Sequence, residues 1–247
     1  MCTVTIVPRD GLGGYRLVAN RDERRSRPDG VEPAWHREGT RRVAYPLDPA
    51  GGGTWVAVSD AGLVIALLNR YPSAGAHLLA PAPSRGSIIP RLIGCRRAAE
   101  AIAFVSAFDC SRFNSFCLVA VDRREVALFT HDRHADSSQV DALSQPYLAT
   151  SSSLGDDIVE APRRQLFEQL VLSEPRDRWL LGQHRFHRTQ WTGRPEISVL
   201  MERSDARTVS RTTVDVTATQ VAMIYEPLPP AWAPVTRLSD TGRARAA

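Results

Sequence analysis

The sequence predicts an α+β protein in which groups of helices lie between strand hairpins, and three observations support this class. Of the 247 residues, 43% are hydrophobic and 23% are charged, which is typical of a globular chain. Apolar and β-branched runs separated by turn signals predict pairs of antiparallel strands. Apolar residues at helical spacing occur in separate stretches and do not alternate with single strands, as they would in a parallel α/β sheet.

A hairpin is predicted at the start of the chain. Residues 3–7 are β-branched and predict a strand, the glycine-rich residues 8–14 predict a turn, and residues 15–19 predict the returning strand. With the turn centred near residue 12, Cys2 is expected to lie opposite Asp22.

The remaining elements are predicted from the same signals. Further strands are expected at residues 53–58, 62–68, 114–121, 125–130, 147–150, 197–201, from 208 onward and at 221–225, and helices at 86–94, 95–108 and 161–172. Residues 173–195 are rich in Arg, Trp and His without a clean period, and we interpret them as a lid or a substrate-facing loop. Residues 1–237 are expected to form a single domain, and residues 238–247 a flexible tail.

Composition argues against several function classes. The net charge is +4, but no lysine occurs, so a phosphate-binding P-loop lysine and a lysine Schiff base are not available. The arginines are scattered, which does not indicate nucleic-acid binding. No apolar stretch approaches the roughly 18 residues of a membrane span, and no signal peptide is recognised, so we expect a cytoplasmic protein. No nucleotide motif occurs, and His184 and His187 lack nearby metal-ligand partners, so no cofactor or metal is predicted.

Cys2 is the first candidate for chemistry. Initiator methionine is normally removed before a small residue, and its loss would leave Cys2 with both a thiol and a free α-amine. The amine has a reference pKa of about 7.7–8.0, so one residue would carry a nucleophile and a general base. Residues 20–25 (NRDERR) offer a carboxylate to orient the amine and a guanidinium to stabilise a thiolate. The alternative is that these charges only solvate a loop.

Met1-Cys2-Thr3 followed by Asn20-Arg21-Asp22-Glu23 resembles the NRDE family, also called the transport and Golgi organisation family. Later segments are similar in kind and order: Gly52-Gly53-Thr54-Trp55, Ala66-Leu67-Leu68-Asn69, Ser84-Arg85-Gly86 and residues 148–153 (LATSSS). The same opening resembles, more distantly, cysteine-type N-terminal-nucleophile hydrolases such as bile-salt hydrolases and penicillin V acylases. This resemblance implies a four-layer αββα sandwich with the nucleophile at the start of a central strand.

The resemblance also implies roles for individual residues. Cys2 matches the nucleophile, Asp22 the aspartate that orients it, and Asn69 the asparagine that helps to bind the oxyanion. An amide at the end of a predicted strand suits such a donor, although the residue type also suits the start of a turn.

The chain departs from the hydrolase pattern at two points. The arginine expected three residues before the aspartate is Ala19, so Arg21 or Arg16 would supply that positive charge, and Arg21 is preferred because it belongs to the NRDE signature. A second active-site asparagine is replaced by the serines at 151–153. Asn20, Ser152 and Arg16 are assigned to substrate binding on these grounds.

The sequence therefore predicts an N-terminal cysteine nucleophile enzyme that acts on an amide C–N bond or a related acyl compound through a Cys2 thioester. Water would give hydrolysis, and another acceptor would give acyl transfer. The expected partner is a small-molecule substrate, and the oligomeric state is left open, a homo-oligomer included. One alternative is a binding or trafficking protein for haem or acyl-coenzyme A, with Cys2 or a histidine as the haem ligand. Another is a retained fold with an inactive site.

Overall fold

Two antiparallel sheets pack face to face in the computed structural model of the chain, which describes residues 2–9, 11, 13–73, 78–133, 135–229 and 235–241. Within those residues the first sheet has the spatial order β10 (Tyr147–Thr150), β1 (Cys2–Arg9), β2 (Gly14–Arg24), β11 (Ala206–Val216), β12 (Gln220–Pro227) and β13 (Thr236–Thr241). The second has the order β3 (Val31–Glu38), β4 (Arg41–Leu47), β5 (Val56–Ser59), β6 (Val64–Asn69), β7 (Phe116–Val121), β8 (Glu125–Asp132) and β9 (Ala135–Ala142).

Helices cover the outer face of each sheet. The second sheet packs on α1 (Ile89–Leu92) and α2 (Ala98–Ser106), and the first packs on α3 (Asp156–Phe167) and α4 (Trp179–Phe186). Alternation along β1 explains the layers, since Cys2, Val4 and Ile6 lie in the core between the sheets, whereas Val7 packs against the helices. The predicted four-layer αββα sandwich is confirmed.

No helix within the described residues has both the length and the apolar content that crossing a bilayer requires.

The first hairpin differs from its prediction by one position. Cys2 pairs with Arg21, not with Asp22, and β2 continues as far as Arg24. A shift of one residue exchanges the two faces of a strand, so Arg21 lies on the same face as Cys2 and Asp22 on the opposite face. Residues 20–24 of the charged run are therefore strand and not loop. Within the predicted turn, Asp10 and Leu12 lie outside the described residues.

Most other predicted strands are present, but the helical regions are shifted. The predicted helix at 86–94 is a 3-10 turn at Arg85–Ser87 followed by α1. α3 begins at Asp156 rather than at residue 161, because two aspartates occupy its first turn and the Asp156 carboxylate accepts from two loop amides. A π-helical segment, Glu168–Leu172, completes the predicted helix.

Three further predictions are corrected. The proposed lid at 173–195 contains α4, whose Phe186 is fully buried against the first sheet's helix layer. The predicted strand at 197–201 is absent, since Ile197 ends a 3-10 turn that begins at Pro195 and residues 198–201 are irregular. Residues 238–241, predicted as tail, belong to β13 and pair with β12, and residues 242–247 lie outside the described residues.

Candidate active site

Cys2 is held at the start of a central strand by neighbours on both sides. On one side it pairs with Arg21 of β2, and on the other the backbone N–H of Ser151 donates to the Cys2 carbonyl at 3.0 Å. The Cys2 nitrogen in turn donates to Ser151 Oγ at 3.3 Å. Met1 lies outside the described residues, but loss of that residue would make the same nitrogen an α-amine. The strand pairing thus fixes the thiol and the future amine together.

A cleft of about 790 Å³ opens at Cys2. Three other residues that the sequence assigns to catalysis, Arg21, Asp22 and Asn69, also line it. The wall is completed mainly by polar side chains, among them Glu23, Arg24, Arg27, Asp48, Thr54, Trp55, Tyr71, Ser84, Arg85 and Asn114. The structure therefore brings the four predicted catalytic residues to one cavity.

Arg21 stands beside Cys2 as a buried cation. Its side chain is only 4% exposed, and its guanidinium lies 4.2 Å from the ring centroid of Trp55, a cation–π contact. Nη2 lies 3.2 Å from a Glu23 oxygen and 3.9 Å from an Asp48 oxygen. These contacts keep the guanidinium on the cleft side of the sheet, where its charge favours a thiolate at Cys2.

Asp22 approaches the site from the opposite face of β2. Its side chain is buried, and the Thr208 hydroxyl donates to its Oδ1 at 2.6 Å. Burial raises the pKa of Asp22, while the positive charge of Arg163 and the Thr208 hydrogen bond act in the other direction. The Asp22 carboxylate is therefore positioned by Thr208 of β11, and burial and its charged and polar neighbours shift its pKa in opposite directions.

The Cys2 thiol needs a base before it can react. Burial raises the pKa of this thiol, and the nearby carboxylates Asp22 and Glu23 add to that effect, whereas Arg21 opposes it. The thiol thus retains its proton near neutral pH. An α-amine on the same residue would be the nearest group able to accept that proton.

Asn69 ends β6 on the opposite sheet. It pairs with Phe116 in the ladder, and its side chain is half-buried in the cleft wall. Among the described residues, none forms a hydrogen bond with its side-chain amide. The amide is thus available to a ligand, whereas the amide of Asn114, also in the wall, is engaged by the backbone of Leu79.

The three residues assigned to substrate binding are not among those that line the cleft. Arg16 forms a bidentate ion pair with Asp215, farther along β2. Asn20 has its side-chain nitrogen bonded to the carbonyls of residues 187 and 199 on the helix side of the sheet. Ser152 is buried, and its backbone N–H donates to Asp156 Oδ1 at 2.9 Å. Arg16 and Asn20 lie on the face of β2 opposite Cys2, because side chains alternate along a strand, and the structure does not bring these two or Ser152 to the cleft.

Sequence reasoning missed several residues of the site. Ser151, not Ser152, contacts Cys2, a distinction of one position in a serine triplet that the sequence alone does not resolve. Trp55 and Arg85 belong to segments that the family resemblance singles out, but neither received a role. That resemblance was the available signal for both.

The cleft offers few ligands for a metal or for haem iron. No group of three or more His, Cys, Asp and Glu within the described part of the chain is arranged to hold a metal ion. Among the described residues that line the cleft there is no histidine, which leaves Cys2 and Tyr71 as the side chains of the wall suited to haem iron. His187, of the H-x-x-H pair, is fully buried and bonded to Thr5 and Asn20.

The family model described as Transport and Golgi organisation 2 matches residues 1–193. No curated protein matches the chain in sequence.

Solved structures resemble the chain over most of its length. An N-acylethanolamine-hydrolyzing acid amidase ortholog from Caenorhabditis elegans has a TM-score of 0.60 and 13% identity, covering 86% of this chain and 92% of that one. Penicillin V acylase from Agrobacterium tumefaciens has a TM-score of 0.57 and 11% identity, covering 96% and 86%. A variant of conjugated bile acid hydrolase from Clostridium perfringens has a TM-score of 0.55 and 10% identity, covering 98% and 97%. At these identities the likeness shows the fold alone, that of the N-terminal-nucleophile hydrolases.

Proposed function

The chain belongs to the Transport and Golgi organisation 2 family, and from this premise we propose that it is an N-terminal-nucleophile enzyme that cleaves amide C–N bonds or transfers acyl groups. The observation that carries the proposal is the position of Cys2, at the start of a central strand and at the wall of a cleft shared with Asn69. The substrate class is a small-molecule amide or a related acyl compound.

Removal of Met1 creates the catalytic base. The α-amine of Cys2 takes the thiol proton, directly or through a water molecule, and the sulfur attacks the substrate carbonyl carbon. Ser151 Oγ, 3.3 Å from the Cys2 nitrogen, orients the amine, and Asp22 stabilises its protonated form. Arg21 favours the thiolate at the moment when it forms.

The bond exchange follows from these positions. The C–S bond forms and the carbonyl oxygen becomes an oxyanion, to which the Asn69 amide and a backbone N–H donate. When the C–N bond breaks, the α-ammonium returns its proton to the leaving amine and a thioester remains. Water, or another acceptor, then attacks the thioester while the α-amine takes its proton, and the C–S bond breaks.

The proposal is tested by mass spectrometry after incubation with 4-nitrophenyl acetate. We expect a purified protein that lacks Met1 and gains one acetyl group on Cys2, and no such adduct on Cys2→Ala. Cys117→Ala is the matched control, because burial raises the pKa of that half-buried thiol to about 11, and its loss should leave the adduct unchanged.

A second variant separates amine-assisted catalysis from ordinary thiol reactivity. One alanine inserted between Met1 and Cys2 keeps the thiol but moves the free amine to the inserted residue. Acetylation should then slow by about 100-fold or more, the usual contribution of a positioned base. Retention of Met1, or an insertion variant as reactive as the wild type, would overturn the proposal.

A further inference from the structure

Arg85 is a cation of the cleft wall that has no carboxylate partner among the described residues. Its Nη1 donates to the Ser115 carbonyl at 2.8 Å, and its guanidinium lies 6.0 Å from the ring centroid of Tyr71. Among the described residues, no carboxylate oxygen lies within 4.0 Å of its nitrogens. Arg27, on the same wall, differs, because it lies 2.5 Å from Asp48 and 3.6 Å from Glu23. Arg85 is thus a half-buried cation of this wall without a carboxylate partner among the described residues, whereas Arg24, which also has no ion pair there, is exposed to solvent.

The segment that carries Arg85 is fixed to the sheet. Thr54 N–H donates to the Gly86 carbonyl at 3.1 Å. The contact is so close that a Cβ on Gly53 would lie 2.3 Å from the Gly86 carbonyl carbon, so glycine is required there. Arg85 is therefore presented to the cleft by a rigid loop, with its guanidinium already anchored on one side.

Two buried donors in the same wall also have no acceptor within the part of the chain that the structure describes. Arg21 Nη1 and Trp55 Nε1 have no hydrogen-bond partner among the described residues, and the two residues are only 4% and 8% exposed. Both residues line the cleft. Buried N–H groups are rarely left unpaired, so a bound molecule with acceptor oxygens is expected beside them.

We propose that the substrate is an acyl compound that carries a carboxylate, and that Arg85 pairs with this group. Arg21 and Trp55 donate to further oxygen atoms of the same molecule. The inference rests on the proposed function, since it names the substrate class of that site. A neutral amide would satisfy the two buried donors but would leave the Arg85 charge unbalanced, and a guanidinium binds a planar carboxylate with two parallel hydrogen bonds.

The test compares matched substrates that differ only in charge. Glutaryl-4-nitroanilide is compared with the analogue in which its carboxylate is a carboxamide, and hexanoylglycine with hexanoylglycinamide, so that the charge lies on the acyl side or on the amine side. We expect kcat/KM to favour the charged member of at least one pair by 10-fold or more. Arg85→Gln should reduce that preference by at least 10-fold, and Arg85→Lys should restore part of it. Arg24→Gln, at an exposed arginine of the same wall, should change it less than twofold.

Binding to Cys2→Ala separates this inference from the proposed function. Calorimetry with the same four compounds should show tighter binding of the charged members and loss of that difference when Arg85→Gln is added. Charge-dependent binding without turnover by the wild type would overturn the proposed function and leave this inference standing. Equal affinity for both members of each pair, or a preference that Arg85→Gln does not change, would overturn the inference, whatever the activity.

Discussion

Both faces of the first sheet near Cys2 are lined by buried polar side chains, but the hydrogen bonding of these side chains differs between the two faces. On the helix-covered face, Thr5, Asn20 and His187 are joined by hydrogen bonds of 2.7 and 3.0 Å. On the cleft face, Arg21 and the facing Trp55, which comes directly before β5 of the second sheet, each have an N–H group without an acceptor among the described residues. The comparison separates polar groups that hold the fold together from polar groups that remain available to a ligand.

The helix-covered face is arranged so that a neutral histidine satisfies it. Asn20 Nδ2 donates to the Val199 and His187 carbonyls, which leaves Oδ1 of the same amide facing His187 Nδ1. Because an amide oxygen can only accept, His187 Nδ1 carries the hydrogen. His187 Nε2 then accepts from Thr5 Oγ1, which itself accepts from Gln183 Nε2 at 2.8 Å. Gln183 Oε1 is an exception that has no partner among the described residues. Such a network fixes α4 against β1 and offers little to a substrate.

The largest effect is expected from removing a buried cation that bonds to other groups on the same helix-covered face. Arg163 of α3 donates to the hydroxyls of Thr3 and Thr150 at 2.9 and 2.7 Å, and to the carbonyls of Ile197 and Ser198 at 3.0 and 2.7 Å. Arg163→Met would remove all four hydrogen bonds and take the donor from the carbonyls of Ile197 and Ser198. The hydroxyls of Thr3 and Thr150 would keep their mutual contact of 3.2 Å. We expect the free energy of unfolding to fall by about 3 kcal/mol or more, measured by urea denaturation.

Arg164→Met is the matched control for this variant. Arg164 is the next residue of α3 and is 50% exposed, and within the described part of the chain it forms an ion pair only with the exposed Glu160. Its replacement should change stability by less than about 0.5 kcal/mol. Equal losses in the two variants would show that the helix-covered face does not depend on its buried hydrogen bonds.

The sequence could predict the layers because the strands between them are apolar on a regular period. Val4 and Ile6 alternate with threonines in β1, whereas Val64 begins the continuous apolar run of β6. All three residues lie in the core between the sheets. The one-residue error at Cys2 arose in the turn, where glycine-rich residues allow more than one loop length. That error exchanged the faces of Arg21 and Asp22, although both still line the cleft.

The supporting residues were beyond prediction for a different reason. Arg163 is 1% exposed, but it is one of 31 arginines in the chain. It lies on the same face of α3 as the buried Val159 and Phe167, and nothing in the sequence marks this arginine as buried. Only the folded structure brings Arg163 close to Thr3, which lies on β1 at the start of the chain, and to Thr150, which lies at the end of β10. Arg85 is comparable, since the absence of a carboxylate partner among the described residues is a property of the assembled wall.

A smaller effect should appear in the pH dependence of stability. Burial holds the pKa of His187 well below its usual value. Below about pH 6.5 this histidine is therefore protonated in the unfolded chain but stays neutral in the folded chain. Stability contributed by the neutral histidine is therefore lost as the pH falls. Between pH 7 and 5.5 this loss is about 1 kcal/mol, and it should be absent from His187→Gln.

The slope of the free energy of unfolding against pH is compared between wild type and variant. Their difference removes the contributions of the carboxyl groups, which both proteins share. His184→Gln serves for comparison, because His184 lies one turn away in α4 and is exposed to solvent. This change should move the slope less. A slope that is the same in wild type and His187→Gln would mean that the buried histidine titrates as it does in the unfolded chain.

The smallest change in stability is expected on the cleft face, where the comparison is sharpest. Trp55→Phe removes an indole N–H that has no acceptor among the described residues, while an aromatic ring remains beneath Arg21. Because no hydrogen bond is broken, the free energy of unfolding should change by less than about 1 kcal/mol, as measured by urea denaturation. Binding of glutaryl-4-nitroanilide to Cys2→Ala should nevertheless weaken about fivefold, the usual contribution of one hydrogen bond. A large loss of stability with unchanged binding would instead place this N–H among the groups that hold the fold, and the two faces would no longer differ.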